Sequence, residues 1–121
     1  MGSEALLKLI GGGETSQVQF KENITNPLGA AQELVAFANT EGGQIIVGVV
    51  DKTGMIAGLS FEDIQRISSL LVNAASEGVK PPLTIKTESV EVNGKKVLIV
   101  TVPNGAHKPY KDKDGLIFIK N

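Results

Sequence analysis

Along the 121-residue chain the spacing of apolar positions changes several times, and each change marks an element. Val18 and Phe20 alternate with Gln17, Gln19 and Lys21, the two-residue period of a half-buried strand. Leu28, Ala31, Leu34, Val35 and Ala38 then recur at helical spacing, behind a capping Asn26 and a Pro27 that suits the first helical position. Gly42-Gly43 ends that helix, because glycine accepts the positive φ of a C-terminal cap. The following run "IIVGVV", 45–50, is apolar at every position, which predicts a central strand covered on both faces. A turn at 51–54 leads to a short strand over 55–59. "SFED" from Ser60 reads as a capping box, and Ile64, Ile67, Leu71, Ala74 and Ala75 form a second helical stripe closed by Gly78. Pro81-Pro82 forces an extended segment.

The remainder reads as β. Residues 83–92 run into Asn93-Gly94, a strong hairpin signal, and "KVLIVTV" returns to Pro103. "NGAHKPYKDKDG" is a polar loop and "LIFIK" a final strand. Residues 1–13 form a short helix or arm. The order β-α-β-(β)-α-β-β-β predicts a single α/β (α+β) domain with a mixed sheet and two main helices.

Composition narrows the function. The chain has no cysteine, which removes disulfides, thiolate metal sites and cysteine nucleophiles, and it fits a reducing cytoplasm. No apolar run reaches the roughly 20 residues that span a bilayer, so no membrane partner is expected. A net charge of −1 gives no overall basic field, so any nucleic-acid surface must come from local segregation of charge. With 4% aromatic residues and no Trp, a base-stacking platform is not expected.

The Walker phosphate loop and the dinucleotide fingerprint are both absent. The one histidine, His107, reads as a loop residue rather than a ligand. Two stretches stand out. "NTEGG" from Asn39 offers an amide, a hydroxyl and backbone N–H groups beside a buried strand. A helix cap explains its glycines, but Asn39 and Thr40 are poor helix formers for a last turn. "HKPYKDKDG" gathers Lys108, Lys111 and Lys113 around Tyr110, which suits contacts to phosphate and sugar. Its other reading is a solvated loop in which Asp112 and Asp114 cancel part of the charge.

"QVQFKE", "ELVAFANTEGGQIIVGVVDKTG" and "KPYKDKDGLIFIKN" together resemble the Schlafen/AlbA-like domain, over residues 14–121. That domain occurs in prokaryotic transcriptional regulators, in RecG-related helicases and divergent AAA-type proteins, and in the core of vertebrate Schlafen proteins. The resemblance implies the N-terminal part of a longer protein, preceded here by residues 1–13. It also implies nucleic-acid binding, with DNA favoured over RNA; the expected location, from composition, is the cytoplasm, and a homo-oligomer is an option for the full-length protein. Lys21, Asn39, Thr40, Lys108, Tyr110, Lys111 and Lys113 are the candidate contacts. Schlafen cores that cleave RNA use three acidic residues, and the matching positions are Glu14, Gln19 and Asp51. Gln19 is an amide, and Glu22, three residues on, faces the other way in a strand. Catalysis by Glu14 and Asp51 with Mg or Mn is therefore the alternative, and an ATP-binding or assembly domain is a second. The leading expectation is a binding module with no cofactor, not an enzyme. Asn39-Thr40 and Asp51 are separated by around 20 Å if the intervening run is one strand, too far to share a small pocket.

Overall fold

The computed structural model describes residues 1–120. Three helices, α1 (Ser3–Gly11), α2 (Pro27–Thr40) and α3 (Phe61–Glu77), accompany six strands. These are β1 (Val18–Lys21), β2 (Gly43–Val47), β3 (Val79–Lys80), β4 (Lys86–Val92), β5 (Lys95–Val102) and β6 (Lys111–Asp112). The caps form as the sequence predicts. Asn26 Oδ1 accepts from the amides of Leu28 and Gly29 at the head of α2, and Ser60 Oγ accepts from Asp63 N at the head of α3. Asn93 and Gly94 have φ of 50° and 79°, the two positive values that a tight hairpin of this kind requires.

Four strands form a mixed sheet in the order β1-β2-β5-β4. β2 runs parallel to β1 and antiparallel to β5, with α2 as the crossover between β1 and β2. Both faces of the sheet are covered, which is why the runs in β2 and β5 are continuously apolar. Ile45, Val47, Leu98 and Val100 pack toward α2 and α3. Ile46, Val97 and Ile99 pack on the other face with Leu6 and Ile10 of α1. The N-terminal segment therefore covers one face of the sheet. A separate two-stranded ribbon, β3-β6, pairs Val79 with Asp112 and Lys80 with Lys111.

Three expectations are corrected. The central strand ends at Val47: Gly48 and Val49 both donate their amides to Lys21 O, and the chain turns there. The expected strand over 55–59 reduces to the isolated bridges Val49–Ile56 and Leu59–Lys96. "LIFIK" is extended but belongs to no strand, because its backbone is held by side chains: Asp112 takes Leu116 N, Asn39 takes Phe118 O and Thr40 takes Lys120 N. The strand of this region, β6, lies within the predicted loop.

Candidate functional site

The last turn of α2 carries the residues that set the site. Asn39 Nδ2 donates to Tyr110 O at 2.9 Å and to Phe118 O at 3.0 Å, while its Oδ1 accepts from Tyr110 N at 2.6 Å. Thr40 Oγ1 donates to Ala36 O at 2.9 Å and accepts from Lys120 N at 2.8 Å. Both polar side chains thus clamp the chain 71 or more residues away, which accounts for two poor helix formers at a helix end. Tyr110 is only 3% exposed, and its hydroxyl accepts from His107 N. Gly42 and Gly43 complete the joint. A Cβ on Gly42 would lie 2.6 Å from both Asn104 N and Val102 O, and one on Gly43 would strike Gln17 O and the Phe37 ring. Asn39, Thr40 and Tyr110, expected among the contacts, are therefore engaged in the scaffold: their polar groups are spent on backbone partners.

The segment so braced runs along α2. Gly105 N donates to Ala38 O, and Lys108 Nζ reaches Thr40 O at 3.3 Å, a favourable place for a cation at a helix C-terminus. Further on, Asp112 accepts from Gln32, and Lys113 lines a groove with Leu28 and Ala31. From Thr40 to Leu28 is about 18 Å at 1.5 Å per residue. Asp112 is buried and holds the turn, with Oδ1 accepting from both Asp114 N and Leu116 N at 2.9 Å. The Leu116 amide bond is the main reason its carboxyl lies below the ordinary value of 3.8. Burial opposes that shift, and Gln32, the Asp114 amide and the Lys113 charge reinforce it.

Lys108, Lys111 and Lys113 are exposed on this braced segment. Directly across the ribbon from Lys111 stands Lys80, also exposed. Like charges directly opposite on a strand pair repel, and none of the four lysines has an ion-pair partner among the described residues. Lys80 was missed from the sequence because only the β3-β6 register brings it to Lys111. Lys21 is elsewhere, at the end of β1 and in the wall of a different cavity.

The two carboxylates of the nuclease alternative have different surroundings. Glu14 Oε2 accepts from Phe20 N at 2.9 Å, protecting an amide of edge strand β1, whereas Asp51 is exposed in the turn beyond Val50. Gln19 Oε1 accepts from Lys120 Nζ at 2.6 Å, and the same ammonium pairs with Glu33 at 2.9 Å. A resident cation beside Gln19 opposes a divalent ion there. No group of three His, Cys, Asp or Glu suited to a metal exists among the described residues.

Residues 14–121 match the Schlafen, AlbA_2 domain family, and the chain belongs to it. Similar solved structures include the N-terminal domain of a RecG-related ATP-dependent DNA helicase protein from Nitrosomonas europaea. It has a TM-score of 0.68 and 21% identity, and the match covers 100% of this chain and 89% of that one. The DIP2311 protein from Corynebacterium diphtheriae has a TM-score of 0.63 and 24% identity over 98% of this chain. The chain spans only 25% of the length of that protein. At these identities the likeness shows the fold alone. No curated protein sequence matches the chain significantly. Among the described residues no helix is long and apolar enough to cross a membrane.

Proposed function

We propose that the domain binds nucleic acid by its backbone, with Lys80, Lys108, Lys111 and Lys113 as the phosphate contacts. Duplex DNA is the preferred form, within a cytoplasmic transcriptional regulator or helicase-related protein. The observation that carries this reading is the Lys80–Lys111 pair, two exposed cations set face to face without an ion-pair partner among the described residues. Such a pair costs folding energy and gains it back when an anion lies across both. The overall charge of −1 makes the local segregation meaningful. Asn39, Thr40 and Tyr110 serve as braces: they hold the lysine-bearing segment rigid, so little ordering entropy is lost on binding. Family membership supports nucleic acid in general.

Fluorescence anisotropy with a labelled duplex tests this between about 25 and 200 mM salt. Four neutralised phosphates predict a slope of log K against log salt of about −3.6. Undetectable binding at the low-salt end, or a slope near zero, would reject the reading.

A further inference from the structure

A cavity of about 550 Å³ opens between the N-terminal half of α2, residues 23–26, α3 and the extended segment 118–120. Its volume falls within the range of small-molecule sites. Ile45 and Leu71 lie beneath its floor, 1% and 0% exposed, so the apolar surface open to a ligand is that of Ile24, Phe118 and Ile119. Ile24, Ala36 and Phe118 extend the apolar wall.

The charges at the mouth indicate what kind. Lys120 is balanced by Glu33 and further bound to Gln19, with the Phe37 ring 4.8 Å beneath its ammonium. Lys21 has no ion-pair partner among the described residues. Among the described residues the rim carries two cations and one carboxylate, from Lys21, Lys120 and Glu33, a net +1. An apolar floor with one uncompensated cation matches an apolar body bearing one negative charge.

We propose that this cavity binds a small organic monoanion, an aromatic or branched aliphatic carboxylate. The carboxylate rests on Lys21, and the body lies against Ile24, Phe118 and Ile119. This site is separate from the lysine row, and the proposal stands whether or not the domain binds nucleic acid.

The test is an amide NMR titration of the whole 121-residue chain. The probes are benzoate, phenylacetate and 3-methylbutanoate, with benzyl alcohol and inorganic phosphate as controls. Saturable shifts confined to residues 21–26, 45, 71 and 118–120 are expected for the carboxylates, with Kd on the order of 1 mM or tighter. Lys21→Met should weaken the best probe about tenfold, and Lys52→Met, at an exposed lysine outside the cavity, should leave its Kd unchanged. A second variant, Ala36→Leu, narrows the cavity and should abolish the shifts; its far-UV circular dichroism shows whether the fold is kept. If it unfolds, Lys21→Met decides alone. No saturable shift for any carboxylate, equal binding of benzyl alcohol, phosphate binding as well as the carboxylates, or an unchanged Kd in Lys21→Met overturns the proposal.

Discussion

Replacing Asn39 by alanine removes a side chain that makes three hydrogen bonds to backbone groups of Tyr110 and Phe118. Each such bond is worth about 1 kcal/mol net. Asn39 is half-buried, so water can reach part of the vacated space, and the sum is best taken toward its lower end, about 2 kcal/mol. That is a large share of the roughly 5–15 kcal/mol that holds a domain together. Urea unfolding of Asn39→Ala should show a midpoint about 1 M lower with an unchanged slope. Hydrogen exchange should localise the effect: the Tyr110 amide, which donates to Oδ1 at 2.6 Å, should lose its protection first. Asn39→Asp is the isosteric variant. It keeps the acceptor for Tyr110 N but turns an oxygen toward two carbonyl oxygens in place of the amide donor, so it should destabilise at least as much. A shift under about 0.5 kcal/mol in both variants, with Tyr110 still protected, would refute the assignment of Asn39 as a brace.

Gly43→Ala should destabilise by more than about 2 kcal/mol, since the added Cβ meets Gln17 O and lies 2.7 Å from a Phe37 ring carbon; a neutral thermal melt would contradict this. Asp112 should make stability fall in acid. Its folded pKa lies below the ordinary 3.8, so its contribution is complete above that value and disappears as pH falls below it. The stability gap between the natural protein and Asp112→Asn, read by urea unfolding, should therefore be largest near neutral pH and narrow below about pH 3.8; a constant gap would show that the carboxylate charge plays no part.

The elements that depend on neighbouring residues were legible in the sequence. Asn26 and Ser60 cap where expected, Asn93-Gly94 makes the hairpin, and the apolar run that opens at Ile45 does mark a strand buried on both faces, as far as Val47. What stayed hidden depends on partners far along the chain. The alternation of "LIFIK" resembles a strand, yet its backbone is held by Asn39, Thr40 and Asp112 instead of a ladder. Asn39 and Tyr110 both stood out as unusual, but as contacts for a ligand. Only the fold shows that they are contacts for each other, across 71 residues. Lys80 gave no local signal, because Pro81 beside it suggests a break and its place opposite Lys111 comes from register alone. The Lys120 link to Gln19 spans 101 residues and was equally out of reach.

The central claim is that the lysines on the braced ribbon neutralise phosphates. The most direct measurement is the change in salt slope when the cross-strand pair is removed. Lys80→Gln with Lys111→Gln should reduce the slope for duplex binding by about 1.8, from about −3.6 to about −1.8. The charge-matched control, Lys52→Gln with Lys86→Gln, alters two exposed lysines outside the ribbon and should leave the slope unchanged. An unaltered slope in the first variant, or an equal loss in the control, would contradict the account.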